Sequence, residues 1–357
     1  MNIRPKEYLM KVNRIGEQYI DRQKFIRLDK NERTNSFEDM IIEELRQQIS
    51  SYTLCAYPEP EPLYDKLSDH LKIDRSELFL TFGSDIAIKT VFEVFVSEGE
   101  KVLMHEPSYA MSSVYCSLFN AEKIAVPFNS DLTFDINNFC DKITKDIKLV
   151  IFENPNGFVG TGFDLNETKQ IINKAAENEA LILIDEAYFP FHNKTAIDFI
   201  NDFDNLIISR TFSKSMSLAG VRIGYLVSNK VLMNNLTKFR PMHELSSLAT
   251  IIGCFFIDHI NILDETIINV NNVMSYTVTK IKNMGIEAFE TDANFILIRL
   301  PEFISANEFQ DRLKAKGFLV RRPFNQDFLN GLVRIGIGSA TQMNILIENI
   351  QRLVKNN

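Results

Sequence analysis

The sequence predicts an α/β protein with a mostly parallel sheet in a large domain and a smaller α+β domain at the C-terminal end. Three observations lead to this prediction. The chain has 357 residues. This length exceeds the size that a domain with a single hydrophobic core usually reaches. Between about Leu78 and Val227, short apolar runs alternate with helical patterns, as in parallel βαβ units. After about Lys230, a long helical stretch and a few separate strands follow instead.

The large sheet is predicted from seven apolar runs, which are LFLTF, KVLMH, KIAVPF, KLVIFE, ALILID, LIISR and VRIGYLV. Apolar residues recur at helical spacing between them, as over 85–96 and 166–177, and the second segment begins with an asparagine that predicts a helix cap. Ligands of such open sheets bind at the carboxyl ends of the strands. The site is therefore expected in the loops that follow these runs.

The predicted domains are a large domain over 31–230 and a small domain over 231–357. The small domain is expected to contain the strands NFILIRL, FLVRRP and LVRIGIG, a helix from about Ser305 to Lys316 and a last helix that ends near Lys355. Residues 1–30 are too few for a domain. We expect them to form an arm that packs on the small domain or reaches a partner subunit.

Composition excludes several classes of function. A hydrophobic fraction of 45% and a charged fraction of 24% are typical of a globular protein. The net charge of -8 argues against nucleic acid as a partner. The N-terminal segment lacks the continuous apolar region of a signal peptide, and no apolar run reaches the length of a membrane span, so we expect no membrane association and a cytoplasmic location. We expect the cysteines to be reduced packing residues, since none forms a CxxC pair; they are Cys55, Cys116, Cys140 and Cys254.

The strongest chemical signal is the segment SRTFSKSMSLAGVRIGY. Lys214 lies in a hydroxyl-rich turn after an apolar strand, and Arg222 lies beside the next strand. Cationic or apolar surroundings lower the pKa of a lysine and make its amine a nucleophile. The hydroxyl of Ser213 and the guanidinium of Arg222 are suited to holding a phosphate. Alone, each residue is more often structural, but their combined spacing predicts a lysine nucleophile beside a phosphate site.

This segment resembles the lysine motif of fold-type-I pyridoxal-phosphate (PLP) aminotransferases, most closely the histidinol-phosphate aminotransferase-like branch of the class I/II family. The resemblance extends over essentially the whole chain. It implies the fold-type-I architecture, with a seven-stranded type of sheet and PLP as the cofactor. It also implies that Lys214 forms a Schiff base with PLP and that Ser213 and Arg222 bind the PLP phosphate.

A second element is ALILIDEAYFPF, in which an apolar strand runs into Asp185 and Tyr188. A buried carboxylate beside the pyridine nitrogen keeps that nitrogen protonated, which makes the ring an electron sink. We expect Asp185 to have this role and Tyr188 to donate a hydrogen bond to the ring oxygen O3′. Taken alone, such a motif is more often a helix cap or a surface turn.

Four further residues receive cofactor roles. The segment FGSDIAIKT places Ser84 and Asp85 where a strand leads into a helix, and a helix N-terminus is suited to a phosphate, although a plain helix cap gives the same pattern. The resemblance assigns both residues to the cofactor and implies that Tyr109 stacks on the PLP ring. It also implies that Tyr57 reaches the PLP phosphate of a neighbouring subunit, which requires a homodimer.

The segment FENPNGFVGTG resembles the family's NPNxPTG loop, but Gly157, Phe158 and Val159 replace the usual residues. An asparagine of this loop donates a hydrogen bond to O3′ in relatives. We expect Asn156 to do so here, with Asn154 as the alternative.

Candidate substrate residues are Arg334 in GLVRIGIG, Arg321 in FLVRRP, and Asn31 in RLDKNERTNSF. The resemblance implies that Arg334 binds a substrate carboxylate through two parallel hydrogen bonds, which lysine does not provide, and that Arg321 contacts a substrate phosphate. The loop around Asn31 lacks the family's proline-rich continuation, and His243 stands where relatives often have tyrosine. Histidinol phosphate itself is therefore not assumed as the substrate.

The sequence favours a PLP-dependent aminotransferase that moves an amino group from a glutamate-like donor to a small, phosphorylated keto acceptor. Imidazole acetol phosphate and dihydroxyacetone phosphate are candidate acceptors. A PLP-dependent decarboxylase of phosphoserine or phosphothreonine is the alternative, because the orientation of the substrate carboxylate decides which bond breaks. A non-catalytic PLP-binding regulator is disfavoured, because Lys214, Asp185 and Arg222 are all in place.

Overall fold

The computed structural model describes residues 3–12, 21–321, 324 and 326–355. Its strands are β1 (Ile26–Leu28), β2 (Leu78–Thr81), β3 (Lys101–Glu106), β4 (Glu122–Pro127), β5 (Ile147–Glu153), β6 (Leu181–Asp185), β7 (Leu206–Thr211), β8 (Gly224–Ser228), β9 (Glu287–Phe289), β10 (Phe295–Arg299), β11 (Phe318–Val320) and β12 (Leu332–Gly336). Its α-helices are α1 (Asp39–Gln47), α2 (Ser51–Cys55), α3 (Glu61–Leu71), α4 (Gly83–Phe95), α5 (Ala110–Leu118), α6 (Ile136–Asp141), α7 (Leu165–Glu177), α8 (Lys230–Leu236), α9 (Ser247–Asp258), α10 (Asn261–Lys282), α11 (Ala306–Ala315) and α12 (Ala340–Lys355).

The large sheet has seven strands in the order β2-β8-β7-β6-β5-β3-β4. Strand β8 runs antiparallel to both of its neighbours, β2 and β7, whereas the remaining pairs are parallel. Each of the seven predicted apolar runs contributes one of these strands. The prediction of a mostly parallel sheet in a large domain is therefore confirmed.

Helices cover both faces of this sheet, which explains why its central strands are apolar throughout. Along β5, Val150 and Phe152 enter one buried cluster, while Leu149 and Ile151 enter the cluster on the opposite face. This alternation follows from the two-residue repeat of a strand. Polar residues are left to the strand ends, where the loops begin.

Two local predictions need correction. Helix α7 is capped by Asp164, not by Asn166, because Asp164 has an extended backbone and its side chain accepts from the amides of Asn166 and Glu167. The last predicted strand, VRIGYLV, begins only at Gly224. Arg222 has a φ of 63°, and a left-handed residue does not continue a strand.

The small domain contains the antiparallel sheet β12-β10-β9 and a pair of parallel strands, β1 and β11. Residues of α10, α11 and α12 complete its core. Residues 26–28 of the predicted arm thus pair with the small domain, and residues 1, 2 and 13–20 lie outside the described ranges. Helix α9 buries Ala249 and Phe255 in the core of the large sheet, so that core extends past the predicted boundary at residue 230.

The cysteines are only in part the packing residues that we predicted. Cys116 and Cys140 are buried and Cys254 is half-buried, but Cys55, on the short helix α2, is exposed. That helix buries none of its side chains, so it offers Cys55 no core to enter. Over the described ranges, no helix combines the length and apolarity needed to cross a bilayer.

Candidate active site

A cavity of about 530 Å³ lies at the carboxyl ends of β5, β6 and β7, where residues of the small domain close over the large sheet. It brings together most of the site residues predicted from sequence, which are Ser84, Asp85, Tyr109, Asp185, Tyr188, Ser213, Lys214, Arg222, Arg321 and Arg334. These residues are far apart in the sequence. They meet here because parallel strands end at the same edge of a sheet.

Lys214 follows β7 and lies in the cavity wall. Its Nζ donates to the carbonyl oxygen of Lys30 at 2.8 Å and lies 5.6 Å from the centre of the Tyr188 ring. Burial lowers the pKa of the Lys214 amine to about 7, and the positive charge of Arg334 acts in the same direction. A large share of this amine is therefore neutral and nucleophilic at physiological pH.

Asp185 is the last residue of β6 and is 6% exposed. Its Oδ1 is buried and has no hydrogen-bond partner within the described ranges. Burial, and to a smaller extent the nearby charge of Glu153, raise the pKa of this carboxyl to about 8. A buried carboxyl oxygen that lacks a partner fits a ligand that brings a nitrogen with a proton, as the pyridine ring of PLP does.

The opposite end of the cavity is suited to a phosphate. Arg222 Nη1 donates to Ser213 Oγ at 3.3 Å, and the hydroxyl of Thr211 donates to the same oxygen at 3.0 Å. The left-handed backbone of Arg222 turns its side chain towards the first turn of α4, which carries Ser84. A guanidinium, hydroxyls and a helix N-terminus at one place are the donors that bind a phosphate.

Tyr109 and Asp85 also line the cavity. Tyr109 ends the loop before α5 and is 36% exposed, so its ring is available to a ligand. Asp85 Oδ1 accepts from the hydroxyl of Tyr115 at 2.9 Å. The structure thus brings Asp85 to the cavity with one carboxylate oxygen already engaged in the protein.

Tyr188 and Asn31 form a buried pair beside Lys214. Asn31 Nδ2 donates to the Tyr188 hydroxyl oxygen at 2.8 Å, which leaves the phenol proton for another acceptor. Burial raises the pKa of Tyr188, so the phenol keeps this proton at neutral pH. Asn31 is 1% exposed and has a φ of 54°, a conformation that asparagine tolerates better than most residues.

Arg334 and Arg321 form the wall contributed by the small domain. Arg334, on β12, is 6% exposed and donates to the carbonyl oxygens of Gly157 at 2.5 Å and Asp29 at 3.2 Å. Burial lowers the pKa of its guanidinium to about 10, which still leaves it positively charged at neutral pH. The centre of the Phe158 ring lies 5.5 Å from the guanidinium carbon of Arg321 and 5.4 Å from that of Arg334. Both cations therefore lie close to the same aromatic ring.

The structure does not support the prediction that Asn156 donates to O3′. Its Nδ2 donates to the carbonyl oxygen of Pro107 at 2.9 Å, and its Oδ1 accepts from the amides of Phe158 and Val159. The alternative, Asn154, is used in the same way, since its Oδ1 accepts from the Phe163 amide. Both asparagines hold the loop itself, and neither is among the described residues that line the cavity.

Tyr57 also lies outside the cavity of its own chain. Its side chain is 81% exposed and stacks on the ring of His243, with the ring centres 4.7 Å apart. The structure therefore brings it to no other predicted site residue of the same chain. Arg322, the second arginine of FLVRRP, lies outside the described residues.

Glu153 is a cavity residue that the sequence analysis missed. It ends β5, is 3% exposed and accepts hydrogen bonds from Ser108, Tyr109 and Gly157. A signal was available in the sequence, because an acidic residue closes the apolar run KLVIFE just as Asp185 closes ALILID. Phe158 was missed as well, since a phenylalanine in a loop has no chemical signature by itself.

The fold and this site define a fold-type-I PLP-dependent enzyme, because a lysine, an aspartate with one buried oxygen that has no partner within the described ranges, and donors suited to a phosphate surround one cavity and together fit PLP. The chain belongs to the family of aminotransferases class I and II, whose pattern matches residues 11–350. It is a PLP-dependent aminotransferase.

The chain is similar in sequence to one known relative and in fold to two solved structures, which are described here in turn. The histidinol-phosphate aminotransferase of Caldanaerobacter subterraneus subsp. tengcongensis is 31% identical over 332 residues, which cover 92% of this chain and 93% of that protein. The Sinorhizobium meliloti histidinol-phosphate aminotransferase, solved with pyridoxal-5'-phosphate, has a TM-score of 0.89 at 21% identity and covers 99% of this chain and 98% of its own. The L-threonine-O-3-phosphate decarboxylase of Porphyromonas gingivalis has a TM-score of 0.79 at 21% identity, covering 92% of this chain and 99% of its own. The fold alone therefore does not choose between transamination and decarboxylation.

Proposed function

We propose that this aminotransferase moves an amino group from a glutamate-like amino acid to a small, phosphorylated keto acceptor. The observation that carries this proposal is the pair of guanidinium groups, Arg321 and Arg334, on one wall of the cavity that contains Lys214. Two cations at one wall suit a substrate with two anionic groups, such as a carboxylate and a phosphate. The name of the relative at 31% identity, a histidinol-phosphate aminotransferase, is consistent with a phosphorylated substrate.

In this proposal, the large domain holds the cofactor. Arg222, Ser213 and Ser84 would bind the PLP phosphate, and Tyr109 would lie against the ring. Asp185 would face the ring nitrogen, and the Tyr188 hydroxyl would donate a hydrogen bond to O3′. PLP, when bound, supplies an electron sink for the carbanion that forms when the substrate loses its α-proton.

The remaining chemistry belongs to the side chains of the cavity. Lys214 Nζ, neutral in a large share of the molecules because burial lowers its pKa to about 7, would accept the proton from the α-carbon of the donor and return it at C4′ of the cofactor. Arg334 orients the donor carboxylate through its guanidinium fork. Asn31 holds the Tyr188 hydroxyl in place through its 2.8 Å hydrogen bond. Imidazole acetol phosphate and dihydroxyacetone phosphate remain the candidate acceptors.

We also propose that the enzyme works as a homodimer in which Tyr57 reaches the PLP phosphate of the neighbouring subunit. The exposed, apolar surroundings of Tyr57 support this. Tyr52 is 71% exposed, Leu54 is 70% exposed and Met242 is 88% exposed. Exposed apolar side chains in such number are typical of a surface that a partner covers.

The test is the half-reaction with the donor alone. The PLP-loaded protein is mixed with excess L-glutamate without any keto acceptor, and the absorbance of the cofactor is followed while 2-oxoglutarate is assayed. One equivalent of 2-oxoglutarate per site is expected, and phosphorylated ketones are then screened as acceptors. Release of carbon dioxide from phosphoserine or phosphothreonine, with no 2-oxoglutarate from glutamate, would instead establish the decarboxylase.

A further inference from the structure

A histidine and an aspartate join the two domains beside the active site. His192 lies in the segment after β6, and Asp292 lies in the turn between β9 and β10 (residues 290–294) of the small domain. His192 Nδ1 is 3.5 Å from Asp292 Oδ1, and the side chain of His192 is 12% exposed. The ring and the carboxylate meet over Gly162, where an ideal Cβ would lie 2.6 Å from His192 Nδ1 and 3.0 Å from Asp292 Cγ. Glycine at this position therefore permits the pair to form.

Both ring nitrogens of His192 face oxygen atoms. The carbonyl oxygen of Phe163 lies 2.8 Å from Nε2, and because a carbonyl only accepts, Nε2 carries a proton. A neutral ring would then present the lone pair of Nδ1 to the carboxylate of Asp292, which is repulsive. A protonated ring has a donor on both sides instead. The geometry therefore favours the imidazolium form of His192.

The surrounding charges favour the same form. Burial alone lowers the pKa of His192, but Asp292 and the carbonyl oxygen outweigh burial and raise this pKa above its ordinary value, while Lys194 opposes them with a smaller effect. Of the other charged groups on the segments packed here, Glu290 accepts from a serine hydroxyl of α10 and Asp164 caps α7. The ion pair is thus complete below the ordinary histidine pKa of about 6.5, and it is lost as the pH rises through the raised pKa of His192.

The turn that carries Asp292 is docked on the β5 loop (residues 154–163), which follows β5. The amide of Asp292 donates to a carbonyl oxygen of this loop at 2.9 Å, and its Oδ2 accepts from the Gly162 amide at 2.9 Å. The same loop presents the Gly157 carbonyl oxygen that accepts from Arg334. Strand β10 begins directly after the turn and pairs with β12, which carries Arg334. The docking of the turn therefore fixes Arg334 relative to the β5 loop.

We propose that His192 is a positioning residue, whose protonated ring holds the turn of the small domain on the β5 loop and so keeps Arg334 in place for the carboxylate of the amino donor. When the ring loses its proton, the turn is held less firmly and donor binding weakens. Lys214 and Asp185 take no part in these contacts, so the rate at saturating donor should change little. The inference rests on the proposed role of Arg334 in binding the donor.

The kinetic test compares the PLP-loaded wild-type protein with His192→Gln, using glutamate and a fixed keto acceptor. Glutamine keeps a donor for the Phe163 carbonyl oxygen but carries no charge. At about pH 6, the KM of the variant for glutamate should be about 3- to 10-fold higher than that of the wild-type protein, and the two values should converge at about pH 8.5. The kcat values should stay similar. A ratio of KM values that is the same at every pH would show a merely structural role and overturn the proposal.

Two further variants control this comparison. Asp292→Asn keeps an acceptor oxygen for the Gly162 amide but removes the charge, so it should reproduce the behaviour of His192→Gln. Wild-type KM values in Asp292→Asn at about pH 6 would show that the ion pair has no effect on donor binding. His259→Gln removes another histidine that pairs with a carboxylate, at 3.3 Å from Glu44, and should leave KM unchanged at every pH. An equal rise of KM in this variant would likewise overturn the proposal.

A measurement without substrate separates this inference from the proposed role of Arg334. Hydrogen exchange in the PLP-loaded protein is followed by mass spectrometry for the peptide that contains the Gly162 amide, with wild-type and His192→Gln proteins compared at the same pH. Faster exchange in the variant at about pH 6 and equal exchange at about pH 8.5 are expected. Equal exchange at the lower pH would overturn the proposal that the charged ring holds the turn. The expected exchange with a KM that does not respond would instead refute the role of Arg334 in binding the donor.

Discussion

A side chain on Gly83 would collide with the guanidinium of Arg222, since an ideal Cβ at position 83 lies 2.5 Å from Arg222 Nη2. Gly83 also has a φ of +80°, where side chains are disfavoured. The first turn of α4 and the arginine after β7 can therefore approach each other only with glycine at this position. This close approach joins the two parts of the proposed phosphate site.

Gly83→Ala should consequently weaken PLP binding, because the new methyl group displaces the Arg222 side chain. We expect the dissociation constant of PLP to rise by about 10-fold, measured by fluorescence titration of the cofactor-free protein. Gly99→Ala is the matched control. Gly99 has nearly the same φ, +83°, but open space around its Cβ position, so this variant should share the backbone strain and keep normal PLP affinity.

Arg222→Ala should weaken PLP binding more strongly, since it removes the charge itself. A loss of about 10- to 100-fold in affinity is expected from the removal of charged hydrogen bonds. The comparison is Arg299→Ala, which removes a half-exposed arginine paired with Glu287 on the small domain. Equal PLP affinity in the two variants would exclude Arg222 from the phosphate site.

Lys214→Ala should abolish turnover and the visible absorbance of bound PLP, with the circular dichroism of the fold unchanged. In the wild-type protein, borohydride trapping of PLP should modify Lys214 selectively. Only the neutral amine is nucleophilic, so the trapping rate should rise as the pH increases through about 7 and level off above it. Lys230, an exposed lysine paired with Asp74, provides the control, and normal turnover by Lys214→Ala would refute the whole scheme.

Asp185→Ala should retain PLP but lose the carbanion chemistry, because the ring nitrogen loses its charged partner. The rate of the half-reaction with glutamate should fall by about 100-fold or more, measured by stopped-flow absorbance. PLP content after dialysis serves as the internal control for cofactor binding. A fully active Asp185→Ala enzyme would show that the ring nitrogen does not depend on this carboxyl group.

Arg334→Lys should lower kcat/KM for glutamate by about 10- to 100-fold, because lysine keeps the charge but not the two parallel hydrogen bonds. Its affinity for PLP should stay unchanged, since Arg334 belongs to the wall of the small domain. Steady-state kinetics with a fixed acceptor test the first expectation, and a PLP titration tests the second. A loss of PLP affinity equal to the loss in kcat/KM would mean that Arg334 holds the fold of the cavity and not the substrate.

Much of the site was predictable because its signals are local. Lys214, Ser213 and Arg222 lie within one short segment, and Asp185 ends an apolar strand. The same rule would also have found Glu153, which ends the neighbouring run. Asn156 shows the limit of motif reading, because an asparagine in a loop serves the loop or a ligand equally well. Its surroundings decide which, and here Pro107 and two loop amides engage its side chain.

The sequence by itself determined the fold class and pointed to Lys214 as the proposed nucleophile, since the repeat of apolar residues records which elements are buried and the lysine segment records one local turn. Only the tertiary structure decided which distant polar atoms meet. The register of β5 with β6 places Glu153 beside Asp185, and β12 brings Arg334 to the carbonyls of Gly157 and Asp29. Hydrogen bonds and charges act over a few ångströms, and residues far apart in the chain come that close only when the whole sheet has formed.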